Sequence, residues 1–166
     1  RFEPWTVSMM MSSAQMQKAG YKGTSGIDAH FFERARQEQM PRVRFETPAE
    51  QFRLFDAFSA QQQERFLRYS LQNADRTVQM MDEMAAAWTR GDAERIEAIV
   101  QDRMQQRFPS LYQTLIVERN RLWMSPITDL LSGPRMPFIV VGAGHLLGDD
   151  GLVTLLRDRG YTVRQQ

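Results

Sequence analysis

The chain has two histidines, His30 and His145, and no cysteine, so its capacity for proton transfer or metal ligation is concentrated in few places. His145 stands in FIVVGAGHLLGDDG (138–151), where a four-residue apolar run stops at Gly142 and Gly144 flanking Ala143. Open α/β sheets place ligands just past the carboxyl end of a strand. Glycines at such a point let the backbone turn sharply or approach a ligand closely. An imidazole projecting from that turn could ligate a metal or move a proton near neutral pH. A lone G-x-x-H also fits a tight turn with a hydrogen-bonded histidine, and spacing alone favours this plainer reading. Asp149 and Asp150 precede a predicted helix, so one of them is expected as its N-cap.

Glu46 is a second candidate. It ends the predicted strand 43–45, where a carboxylate could bind metal or act as a general base, or simply face the next helix N-terminus. Arg119 and Asn120 stand out for their surroundings in LYQTLIVERNRLW. Arg119 follows Leu115 by four and precedes Leu122 by three; Asn120 stands likewise between Ile116 and Trp123. Both polar groups therefore fall in apolar stripes. A buried guanidinium needs a carboxylate partner, for which Glu46 is one candidate, or an anionic ligand. Asp28 reads as an N-cap or first-turn acid. Its spacing of two from His30 puts them on different faces of a helix, against joint metal ligation. The methionines at 9, 10, 11, 16, 80, 81 and 84 fit adaptable core packing better than a soft-metal or haem pocket.

The elements that must carry these residues are mostly helical. Residues 4–19 predict a helix stopped by Gly20, and 27–39 a second one ended by Met40–Pro41. Thr47–Pro48–Ala49–Glu50 has an N-cap, a proline at N1 and an acidic first turn. Leu67, Leu71, Ala74, Val78, Met81, Ala85 and Trp88 are spaced 4-3-4-3-4-3, predicting one long helix from about 61 to 88. Arg90–Gly91–Asp92 ends it and caps the next. Phe108–Pro109–Ser110 interrupts before a helix to Leu131. The tail reads as strand 138–141, a glycine loop, helix 152–158 and strand 161–163. The expected fold class is therefore α/β, helix-rich and α+β-like: a small mixed sheet of about three strands under long helices. So thin a sheet is expected to be part of a larger one.

Composition sets outer bounds. The 166 residues suit one domain. A net charge of +1 without a basic stripe argues against a nucleic-acid partner. No apolar run reaches the ~20 residues that cross a bilayer.

Four ordered stretches resemble one family. FIVVGAGHLLGDDGLVTLLRDRGYTV (138–163) resembles the C-terminal signature of the TraB/PrgY/GumN family, which includes the Tiki-type membrane-associated proteases. GIDAHFFERARQEQMPRVRFETPAEQ (26–51) resembles its G-x-D-x-x-F-x-x-A … L-E-T-x-x-x-Q segment. AAAWTRGD (85–92) resembles its W-x-x-G-D, and ERNRLW (118–123) its R-N-x-x-W. The resemblance implies a mixed α/β fold with two G-x-x-H motifs facing one pocket, and metal-dependent peptidase activity using those histidines with a glutamate. Related folds are the haem-binding ChaN proteins and erythromycin-esterase-like enzymes.

By position, His145 with Gly142 and Gly144 is the second G-x-x-H. Glu46 and Gln51 belong to the E-T-x-x-x-Q segment, and Arg119 and Asn120 to the R-N pair. The implied site has His145 and Glu46 on a divalent ion (Mn, Co or Zn), Arg119 stabilising negative charge, and a peptide or small-molecule substrate. The alternative is a non-catalytic module binding haem or a peptide signal. The first G-T-x-H motif is absent, since Gly23–Thr24 is followed by Ser25–Gly26, and Phe45 stands where leucine is usual. The expectation is a C-terminal portion, 1–166, of a longer TraB/GumN-like domain, lacking its first strands and half its site and inactive or weakly metal-binding alone. It would associate with the missing half or with a second copy. Family analogy suggests a periplasmic, exported or lipid-anchored bacterial protein.

Overall fold

A computed structural model describes residues 2–166, with the backbone alone for 101–103. The chain divides into two units, Arg1–Glu83 and Met84–Gln166. Helix accounts for 69% of it, and no strand forms among the described residues. The expected α/β class with a three-strand sheet is therefore corrected to an all-helical fold. Among the described residues, the segments read as strands join no hydrogen-bond ladder. Val43 and Phe138 are each 68% exposed, so neither apolar run is covered as a sheet core would be. An extended segment becomes a strand only when a neighbour completes its hydrogen-bond ladder. Side chains do part of that work here: Val163 O accepts from Arg157 Nη2 at 3.1 Å, and Gln165 Nε2 donates to Gly91 O at 2.7 Å.

In the first unit, α1 (Pro4–Lys18) packs on α4 (Ala60–Gln72). Between them in sequence lie α2 (Ile27–Gln37) and α3 (Pro48–Asp56). Gly20 ends α1 as expected, with φ +93° and its N–H on Gln17 O. Trp5 is the anchor of α1. Its indole N–H donates to Asp56 Oδ1 at 2.9 Å, and its ring stacks on Phe55 and Phe52 with centroids 5.2 and 6.0 Å away. Met9 and Met10 depart from the core role expected of them and line an open groove beside Trp5 and Phe52.

The expected long helix is two. Asn73 ends α4, its side-chain Nδ2 and backbone N–H both donating to Tyr69 O, and α5 (Ala74–Thr89) restarts beyond it. The division between the units falls within α5. The buried stripe differs from the apolar seam: Leu71 and Trp88 are exposed, whereas Gln63, Ser70 and Thr77 are buried. Hydroxyls tolerate this position by bonding back within the helix, Ser70 to Phe66 O and Thr77 to Asn73 O. The Oε1 of Gln63 lacks a hydrogen-bond partner.

In the second unit, α5 ends at Gly91 (φ +68°), and Asp92 Oδ1 accepts from Arg95 N at 3.0 Å to start α6 (Ala93–Val100). A π-helical segment, Gln101–Gln106, follows. From Pro109 the chain is helical to Leu131: α7 (Pro109–Tyr112), a π-helical turn (Gln113–Val117) and α8 (Glu118–Leu131). The last helix, α9 (Leu152–Asp158), ends at Gly160 (φ +87°). Its N-cap is Gly151 rather than either expected aspartate.

The caps on α3 and α4 are reciprocal. Thr47 Oγ1 accepts from Glu50 N while Glu50 Oε2 accepts from Thr47 N, and Ser59 and Gln62 repeat the pattern. Thr47→Ala or Ser59→Ala is expected to cost about 1 kcal/mol in urea unfolding of the chain, and Thr47→Ser only a few tenths. Equal midpoints for Thr47→Ala and wild type would remove the cap from the account.

Candidate functional site

The site is built where the helical run 109–131 meets the turn that follows residues 138–141. Leu115, Ile116 and Val117 are all buried, three in succession, more than one stripe of a regular helix hides. The π-helical turn over Gln113–Val117 accommodates them. One residue added to a turn rotates everything after it by about 100°. The stripe then continues through Asn120, Trp123, Met124 and Ile127, all buried, while Leu122 points outward. π-turns of this kind are frequent at functional sites.

Gly142 leads into a 3₁₀ turn, Ala143–His145, closed by His145 N donating to Gly142 O at 2.9 Å. His145 is 7% exposed. Its ring Nδ1 lies 2.7 Å from Asn120 Oδ1, and its centroid is 4.5 Å from that of Trp123. Asn120 is 0% exposed; its Nδ2 donates to His145 O at 3.1 Å and to Asp150 O at 2.7 Å. Arg119 is half-buried, with Nη1 donating to Leu115 O and its guanidinium carbon 4.8 Å from the Trp123 ring centre. Trp123 thus touches both the imidazole and the guanidinium.

Electrostatics follow from this packing. Burial, aided by the Arg119 charge, lowers the His145 pKa from 6.5 to about 4, so the imidazole is neutral at physiological pH. Tyr112 moves the other way: burial and the negative charges of Asp150, Glu97 and Asp149 raise its pKa. Arg121 lies 3.7 Å from Asp150, which steadies the loop whose carbonyl holds Asn120.

The structure brings together His145, Asn120, Arg119, Gly142 and Gly144, all in the second unit. Glu46 and Gln51 belong to the first unit. Glu46 lies in a bend before α3 rather than at a strand end, and Gln51 is exposed on α3. His30 is exposed on α2 against Phe31. Among the described residues, no three His, Asp or Glu side chains are grouped as a metal site requires. The residues to which sequence reasoning gave no part in the site are Trp123 and Gly151. Trp123 follows Arg119 by four, a helical spacing that signals their contact.

Gly142 and Gly144 are less constrained than expected. Neither has a left-handed φ. A Cβ on Gly144 would meet Val100 and Ile116 at ordinary contact distances, the nearest 3.7 Å. Gly151 is the demanding one, since its Cβ would lie 2.5 Å from both Leu146 O and Leu147 O. Gly151→Ala is expected to destabilise by about 1–3 kcal/mol, against less than about 1 kcal/mol for Gly142→Ala or Gly144→Ala. Urea unfolding measures all three, and a harmless Gly151→Ala contradicts the close approach.

The depressed pKa of His145 also sets a pH dependence. The unfolded chain takes up a proton near pH 6.5 and the folded one only near 4. The stability contribution is therefore full above pH 6.5 and is lost as pH falls towards 4. Between pH 7 and 4.5 the loss attributable to this group is about 2 kcal/mol. His145→Gln should flatten that part of the urea-derived stability profile, and an unchanged profile would show that His145 titrates normally.

Neither a curated protein nor a solved structure matches this chain. The model of the TraB/PrgY/gumN family matches residues 1–165, the stretch that carries the G-x-x-H turn, the R-N pair and the helices that position them. The chain belongs to the TraB/PrgY/gumN family.

Proposed function

We propose that this chain provides the His145 side of the site of a metal-dependent hydrolase acting on peptides. The observation that carries the reading is the placement of a buried, neutral imidazole next to a permanent cation. His145 is held at the end of the GAGH turn, and Arg119 shares its Trp123 neighbour. A neutral imidazole is the form that ligates a divalent ion or accepts a proton from water. His145 would be the histidine ligand. When bound, such an ion acts as a Lewis acid that lowers the pKa of water. The remaining work falls to the chain's own side chains. Asn120 holds the imidazole, Trp123 limits its rotation and excludes water from its face, and Arg119 offers positive charge to an oxyanion developing near it.

The test is hydrolysis of a mixed peptide library by the full chain with Mn²⁺ or Co²⁺, read by mass spectrometry. His145→Ala should lower the metal-dependent rate by at least ~10²-fold, the usual range for loss of a group that handles protons or charge. Arg119→Gln should lower it by about 10²–10³-fold if it stabilises an oxyanion. Metal-dependent cleavage that His145→Ala leaves intact would sink the reading.

A further inference from the structure

We infer that Asn120 is a positioning residue that fixes the tautomer of His145, so that Nδ1 carries the proton and Nε2 is the nitrogen offered to an ion or to water. This inference builds on the reading of His145 as the working imidazole. It begins with the orientation of a single amide. Asn120 is fully buried, and its Nδ2 faces two main-chain carbonyl oxygens, of His145 at 3.1 Å and Asp150 at 2.7 Å. Turning the amide over would point its oxygen at both carbonyls, leaving three acceptors facing one another without a proton in a site closed to water.

The orientation is thus determined by backbone, independently of the imidazole. Oδ1 is then left facing His145 Nδ1 at 2.7 Å. An amide oxygen can only accept, so Nδ1 must donate. In a neutral imidazole the lone pair then resides on Nε2. Rotation of the ring is opposed by the Trp123 indole, 4.5 Å away between centroids. The two carbonyls that orient Asn120 lie at either end of residues 145–150, so this loop is part of the device. Its far end is steadied by the Arg121–Asp150 contact.

The tautomer is directly observable by ¹⁵N–¹H long-range correlation NMR of the full chain labelled at histidine, at pH 7 without added metal. Only two histidines are present, and His30, exposed on α2, serves as the internal control. For His145 we expect a pyrrole-type Nδ1 and a pyridine-type Nε2. Asn120→Leu removes the acceptor for Nδ1–H and should move the tautomer ratio about tenfold towards Nε2–H, as expected for loss of one buried hydrogen bond.

A pyridine-type Nδ1 in the wild type overturns the inference, as does an unchanged ratio in a folded Asn120→Leu chain. Should Asn120→Leu fail to fold, the wild-type spectrum still decides. The readout requires no turnover. An Nδ1–H tautomer together with metal-dependent hydrolysis that His145→Ala leaves intact would remove the proposed activity and leave the positioning role standing. Hydrolysis with the opposite tautomer would do the reverse.

Discussion

The second unit depends on one buried amide. Asn120 makes contacts that no apolar side chain could replace, because it has two donors and an acceptor in one rigid plane. Its donors hold the carbonyls of His145 and Asp150, and its acceptor holds His145 Nδ1. An amide removed from water is costly unless fully satisfied, and this one is. The loop from 145 to 150 and the helix carrying Asn120 are therefore held in one arrangement by directional bonds. Apolar packing by Trp123, Met124 and Ile127 then fills the same helical face. The π-helical turn over 113–117 belongs to this arrangement, because it sets the rotation at which Asn120 faces inward.

Electrostatics and packing point the same way at His145. Burial alone disfavours the imidazolium, and the Arg119 charge adds to that effect. Arg119 is itself engaged by the Leu115 carbonyl and by the Trp123 ring, so its charge is kept near the histidine. A cation beside an imidazole would be a poor arrangement for a histidine that had to be protonated. It suits one that stays neutral. The same low-dielectric surroundings raise the Tyr112 pKa, where nearby carboxylates replace the guanidinium.

Helices replace the expected sheet for reasons that are local. Reciprocal caps start α3 and α4, left-handed glycines follow the ends of α1, α5 and α9, and hydroxyls of Ser70 and Thr77 bond back to their own helices. Each device satisfies backbone or side-chain polar groups without a distant partner. A strand has no such recourse, since its N–H and C=O groups point sideways to a neighbour. The segments 43–45, 138–141 and 161–163 have the composition of strands, and among the described residues no ladder forms on any of them.

What was legible in the sequence follows the same division. Gly20, Thr47 with Pro48, Gly91 with Asp92 and Gly160 were readable because a cap is decided by residues within a few positions of one another. The Arg119–Asn120 pair was readable as polar groups in apolar stripes, which identified them as engaged but not with what. The apolar seam through Leu71 and Trp88 misled because burial depends on the surface opposite, and there Gln63, Ser70 and Thr77 face inward instead. By itself the sequence determined the caps at Gly20, Thr47, Gly91 and Gly160, the family motifs and the rarity of histidine. Only the tertiary structure decided that Asn120 grips both ends of the His145 loop, that Trp123 joins Arg119 to His145, and that Gly151 rather than Gly144 is the steric constraint. Each of these rests on groups far apart in sequence whose distances are set by packing, and residue spacing carries no record of such distances.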